Sequence, residues 1–216
     1  KIGEALSYDI SNTFGRNTFD YTIKNTANAS MRHPSKTEFD AGALGFTQNT
    51  INADFDTKVN WLQGLNIAFG AEARFEKFKI TPGEEASWAT YDTNGSLVVL
   101  STPGSLKPTD FFGAARPGGS QVFPGFRPEN ALDKGRHSFA GYVDTELDVT
   151  DKWLISGAVR YENYSDFGST FNYKIATRYK ITNNINFRAA HATGFRAPSL
   201  QQMYFNSTAT QFVGGV

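Results

Sequence analysis

The feature that most constrains this chain is a period-two alternation of apolar and polar residues, sustained over runs longer than an ordinary strand. From Trp153 to Tyr164, the residues Trp153, Ile155, Gly157, Val159 and Tyr161 share one face, and Ser156, Ala158, Arg160 and Glu162 share the other. Side chains on an extended strand alternate sides, so the pattern specifies a strand with one apolar and one polar face. The preceding run sets Phe139, Gly141, Val143, Thr145, Leu147 and Val149 against Ser138, Ala140, Tyr142, Asp144, Glu146 and Asp148. The following run sets Phe171, Tyr173, Ile175, Thr177, Tyr179 and Ile181 against Asn172, Lys174, Ala176, Arg178 and Lys180, and a last one extends from Ile185 to Thr193. Thr150-Asp151-Lys152 and Thr182-Asn183-Asn184 supply tight turns between them.

The first half reads the same way. Leu6, Tyr8 and Ile10 alternate with polar residues, Gly15-Arg16 is expected to turn the chain, and Phe19, Tyr21 and Ile23 follow with the same period. Further runs span Ile51 to Val59 and Leu65 to Phe75, with a turn between them. The expectation is an all-β chain of about eight antiparallel strands of roughly ten to fifteen residues. An average strand has only about five or six, and about 9–11 suffice to cross a bilayer at a 45° tilt.

The links favour one architecture. Those near 12–16, 60–64, 150–152 and 182–184 are short, and they alternate with links at about 31–45, 81–135 and 165–169 and with another opening after Phe195. Trimmed turns on one rim and elaborated loops on the other are the arrangement of outer-membrane barrels, with periplasmic turns and extracellular loops. A soluble sandwich also alternates, but would have shorter strands and no such asymmetry. Trp153, Tyr161, Phe171 and Tyr179 fall near strand ends on the apolar face, where interfacial girdles lie.

Composition removes other readings. Lys+Arg and Asp+Glu both number 21, so no basic excess points to nucleic acid. With 0 Cys, neither disulfide nor thiolate chemistry is available, and His33, His137 and His191 share no ligand spacing. A mean hydropathy of -0.41 suits a soluble protein, but also a barrel whose alternation averages out. Lys1-Ile2-Gly3-Glu4 and Phe212-Val213-Gly214-Gly215-Val216 read as the ends of a piece of a longer chain.

Thr193-Gly194-Phe195-Arg196-Ala197-Pro198-Ser199-Leu200-Gln201-Gln202 resembles the strand-to-loop segment in the barrel domain of TonB-dependent outer-membrane receptors. Residues 160–170 are similar to the outer hairpin one strand pair earlier in that family, and 83–95 and 116–128 to loop segments of one branch. The resemblance implies a 22-stranded barrel plugged by an N-terminal domain, with residues 1–216 forming part of the barrel and the plug lying outside this sequence. It implies an outer-membrane importer of a scarce ligand (an iron chelate, cobalamin, an oligosaccharide or a peptide) coupled to the inner-membrane TonB complex, in some branches under a surface lipoprotein lid. An uncoupled pore, a structural barrel and a soluble all-β carbohydrate-binding domain are the competing readings.

The longest link carries the candidate ligand contacts Trp88, Tyr91, Arg116, Phe123, Phe126 and Arg127, beside Phe111 and Phe112. Rings offer stacking area and guanidinium groups grip anions. Packing of the loop onto itself explains the same rings. Leu97-Val98-Val99-Leu100 is expected to form a strand. Haem receptors of the family follow the Phe-Arg-Ala-Pro box with a histidine, and none occurs from Ser199 to Val216, so no haem or other cofactor is assigned. No catalytic constellation is found either: His137 and Ser138 fall on opposite strand faces, Glu84 and Glu85 diverge, and Asp144, Glu146 and Asp148 suit pairing with Arg and Lys in a polar lumen better than holding a metal.

Overall fold

The computed structural model describes residues 6–32 and 34–208, so the expectations for His33 and for the two chain ends lie outside the described residues. Seven strands form one sheet in sequence order: β1 (Leu6–Lys24), β2 (Glu38–Val59), β3 (Leu65–Pro82), β4 (Leu132–Thr150), β5 (Trp153–Tyr164), β6 (Gly168–Lys180) and β7 (Asn186–Ala192). The helical segments include α1 (Glu85–Trp88) and α2 (Leu200–Tyr204), and no described helix is long and apolar enough to cross a membrane, which says nothing about strands. At 22 residues, β2 is about twice the length that crosses a bilayer. Links after β2, β4 and β6 are short, and those after β1 and β3 are longer, the second covering 83–131; the link after β5, expected on the elaborated rim, is short as well, covering 165–167.

Alternation sets the register. Val143 lies opposite Val159, which lies opposite Tyr173, and Tyr161 opposite Phe171. Ile175 faces His191 and Tyr179 faces Phe187, so the apolar positions of four strands line up on one face. Thr150 Oγ1 accepts from the backbone amides of Lys152 and Trp153, and Thr182 Oγ1 from those of Asn184 and Ile185, closing the two turns read from the sequence.

Two expectations are corrected. The chain does not turn at Gly15-Arg16: β1 is unbroken over 19 residues, which leaves seven strands among the described residues rather than eight. The sequence changes there from even apolar positions (Tyr8, Ile10) to odd ones (Tyr21, Ile23), and a turn is one way to produce that change. In the structure Tyr8, Ile10 and Phe14 are exposed, whereas Tyr21 packs against an interior core. The parity change marks a change in what covers the strand. It recurs in β3, where exposed Phe69 and Phe75 give way to buried Phe78 and Ile80, and in β2, where exposed Ile51 gives way to Leu44 and Phe46 in the core. The second correction is Leu97-Val98-Val99-Leu100, which makes a single bridge between Leu97 and Tyr91 rather than a strand and leaves Leu100 in solvent.

The chain divides into two compact units, 1–15 with 47–76 and 135–199, and 16–46 with 77–134 and 200–216. In the first, apolar side chains populate an exposed face, with Phe139, Val143, Val159, Phe171 and Ile175 all open. The second unit has the interior core, built on Phe78, Ile80, Phe126 and Leu200 and flanked by Tyr21, Leu44, Phe123 and Tyr204.

The loop 83–131 is held down by buried polar bonds. Asn28 is fully buried: its Nδ2 donates to the carbonyls of Ala86 (2.9 Å) and Ala89 (2.8 Å), and its Oδ1 accepts from the Ser30 amide (3.1 Å) and hydroxyl (2.6 Å). The Ser87 carbonyl accepts from the amides of Ser120 and Gly125. At Gly125 a Cβ would run into the Ser87 hydroxyl and lie 3.1 Å from Ala41 Cα, so no side chain fits at this approach. Asn28→Ala strands the Ala86 carbonyl and the Ser30 hydroxyl at about 1–3 kcal/mol each, while the Ala89 carbonyl keeps the Gly119 amide at 2.9 Å. Limited proteolysis should therefore cut the 83–131 loop of this variant well before the wild type.

Candidate ligand-binding site

Each predicted ligand contact has a definite place in the second unit. Phe126 is 2% exposed and belongs to the core, touching Tyr21, Phe123 and Phe205 ring to edge. Phe123 stacks on Tyr21 at 5.0 Å between ring centroids. Trp88 donates its indole N–H to the Gly83 carbonyl (3.3 Å), and Arg116 donates Nε to the Thr109 carbonyl (2.9 Å). Arg127 buries its Nε. Four of the six therefore serve the loop's own packing or bonding in the described residues, which is the reading that competes with ligand contact.

Tyr91 is different, because it lines a cavity. The cavity has a volume of about 520 Å³ and is walled by Met31, Arg32, Pro34, Tyr91 and the turn from Asp92 to Gly95. That size falls in the range of small-molecule pockets. The turn uses up its own polar groups: Asp92 Oδ1 accepts from the amides of Asn94 (2.8 Å) and Ser96 (2.9 Å), and the amides of Tyr91 and Thr93 go to Ser30 Oγ and the Leu106 carbonyl. Tyr91 itself donates its hydroxyl to Glu85 Oε1 (2.8 Å). Burial, that hydrogen bond and the negative charges of Glu85 and Glu84 push its phenol up to about 12. The folded value lies above the ordinary one of about 10, so the neutral phenol's stabilisation is complete below about pH 10 and is lost as pH rises through 12. In a difference titration at 295 nm against Tyr91→Phe, this phenol should ionise about two pH units later than an exposed tyrosine.

The sequence does not single out Arg32, and no local pattern marks it. Its backbone sits at φ 54°, ψ -128°, a conformation that only glycine adopts readily. Holding a non-glycine residue there costs about 1–3 kcal/mol. The amide of Arg32 bonds the Ala29 carbonyl and its carbonyl accepts from Ser35, so neighbouring turns fix the strained geometry.

Further along the same loop, Phe111 and Phe112 stand 95% and 89% exposed, edge to face at 5.4 Å. Their turn is hydrogen-bonded onto itself: Asp110 Oδ1 accepts from the amides of Phe112 and Ala114, and Gly113 supplies φ +84°.

The polar face of the first unit carries a connected ionic network. Arg160 donates Nε and Nη2 to Glu162 Oε1 (2.8 and 2.6 Å) and pairs with Glu72 (3.5 Å), which also takes Arg74 (2.8 Å). Arg136 is buried. It donates Nε and Nη2 to Glu76 Oε2 (2.8 and 2.7 Å) and Nη1 to the Pro198 carbonyl (2.8 Å), with Asp166 at 3.7 Å and the Tyr164 ring beneath it. Phe195 packs on Phe167 and Tyr164, so the Phe195-Arg196-Ala197-Pro198 segment is pinned at both ends. Asp144, Glu146 and Asp148 form none of the ion pairs found among the described residues, which contain no group of three His, Asp or Glu arranged to hold a metal.

An apolar face open to the surroundings, an opposite face that is polar and internally paired, and six strands of 12 residues or more are what a membrane barrel wall requires. The family model described as "TonB dependent receptor-like, beta-barrel" matches residues 2–215. The chain belongs to the TonB-dependent receptor β-barrel family. It is accordingly part of the wall of an outer-membrane β-barrel. Two similar proteins are both named "Vitamin B12 transporter BtuB": one from Photobacterium profundum, 30% identical over 70 residues, and one from Vibrio vulnificus, 28% identical over 79 residues. These stretches cover 32% and 37% of this chain but only 11% and 13% of the relatives' lengths.

Proposed function

We propose that this TonB-dependent receptor chain is part of the barrel of an active importer that takes up a scarce ligand across the outer membrane. Its remaining strands and plug would lie elsewhere in the same protein, the plug engaging the inner-membrane TonB complex. The family match over residues 2–215 carries the reading. The loop fixed over Asn28 and Ser87 supports it, since a receptor needs a preorganised outer surface. Cobalamin is the first ligand to test, on the names of the two relatives, with iron chelates, oligosaccharides and peptides behind it. The exposed Phe111 and Phe112 pair would meet either the ligand or a surface lipoprotein lid. We assign the chain no catalytic role.

Uptake of labelled cyanocobalamin and of an iron chelate by cells carrying the full-length receptor tests this. Uptake of one of them should stop when the coupling protein is deleted. Uptake indifferent to that deletion would replace the importer with an uncoupled pore.

A further inference from the structure

We infer that the cavity between Met31, Arg32, Pro34 and Tyr91 binds a flat ring bearing an anionic group, with the Arg32 guanidinium as the anion contact. The inference rests on the importer reading only for its biological setting. The walls supply apolar area from Met31, Pro34 and the Tyr91 ring, which suits an aromatic or similarly flat body. Their backbone donors at Tyr91, Thr93, Asn94 and Gly95 are spent on Ser30, Leu106 and Asp92, so specificity falls to side chains. Among these Arg32 is exposed, and no ion pair holds it among the described residues, whereas Asp92 turns Oδ1 onto two backbone amides. Arginine forks recognise carboxylate, sulfonate and phosphate groups in two-point geometry.

The strain at Arg32 makes the same point independently. Glycine would occupy φ 54°, ψ -128° without penalty, so packing alone gives no reason for arginine at this position.

The test is equilibrium dialysis of the full-length receptor in nanodiscs, with empty nanodiscs subtracted, against 1-naphthoate, 1-naphthalenemethanol and 1-naphthylmethylammonium. Naphthoate should bind about tenfold tighter than the neutral probe and the cation weakest, the margin one charge-assisted contact provides. Arg32→Gly and Arg32→Gln should each bring naphthoate down to the level of the neutral probe without changing the neutral probe's own binding. Arg32→Gly should also melt no lower than the wild type, because it relieves the strained backbone. Equal binding of the three probes, or a naphthoate preference that survives both variants, would overturn the assignment. Energy-dependent uptake is scored separately: loss of the naphthoate preference with uptake intact removes this site alone, and a preserved preference with uncoupled uptake removes the importer alone.

Discussion

Arg136→Met should cost about 3–5 kcal/mol of stability, the largest loss expected from any single change in the first unit. The substitution keeps an unbranched stem of similar reach but leaves Glu76 without the cation at 2.7 Å and strands the Pro198 carbonyl. It also takes the nearby counter-charge from Asp166, whose carboxylate oxygens are buried and accept no hydrogen bond among the described residues. Lys in the same place makes a single-point contact and cannot serve Glu76 and Pro198 together, so Arg136→Lys should recover only part of the loss. The double variant Arg136→Met with Glu76→Met should be clearly less destabilised than the sum of the single changes, because it removes both ends of the pair. Urea unfolding in lipid vesicles reads all four. Limited trypsin digestion of the same variants reports on Phe195-Arg196-Ala197-Pro198: with the Pro198 anchor gone, the tryptic site after Arg196 should open in Arg136→Met and stay closed in the wild type.

The second large effect separates the two faces of the wall. Val159 and Ile175 lie on the exposed apolar face, in line with Val143 and His191 across the register. Val159→Arg or Ile175→Arg places a charge in hydrocarbon near mid-membrane and should cost about 2–4 kcal/mol. Ala158, one residue away, lies between Asp144 and Lys174 on the opposite face, so Ala158→Arg joins a polar surface and should cost far less. Equal costs on the two faces would contradict the assignment of the lipid side.

From Phe139 to Tyr161 and from Phe171 to Phe187, β4 to β7 are legible in the sequence because one rule operates there. The exposed face keeps one apolar parity over these stretches and tight turns with Thr hydroxyl caps punctuate it, whereas Leu132 and Tyr164, of the other parity, lie inside. β1 reads wrongly as two strands because two rules meet within it. Its lower apolar residues answer to the exposed face and Tyr21 answers to the core around Phe126, and a strand can satisfy both only by exchanging which parity is apolar. The parity change is legible in the sequence, but whether a turn or a change of surroundings causes it is a matter of φ and ψ, which the structure gives.

The candidate site is less legible. Aromatic content singles out Trp88, Phe123 and Phe126 as readily as Tyr91, since a ring that packs a loop and a ring that meets a ligand have the same composition. Met31, Arg32 and Pro34 reach the Tyr91 cavity through a different link, and no spacing in the sequence relates these positions to Tyr91. The strain at Arg32 is a property of φ and ψ, to which a residue type other than glycine gives no clue.

The chain has 0 Cys, so single cysteines can be placed at will, and this gives the most direct measurement of the central claim. Cysteines at positions 157 to 160 of β5 and 174 to 177 of β6, in the full-length receptor in native outer membranes, are treated with a water-soluble maleimide and, separately, labelled with a fluorophore that brominated lipid quenches. The account predicts strict alternation: 157, 159, 175 and 177 quenched by lipid and unreactive to the aqueous reagent, and 158, 160, 174 and 176 the reverse. Uniform labelling from water on both faces, with no lipid quenching, would contradict a membrane wall and return the chain to a soluble sheet.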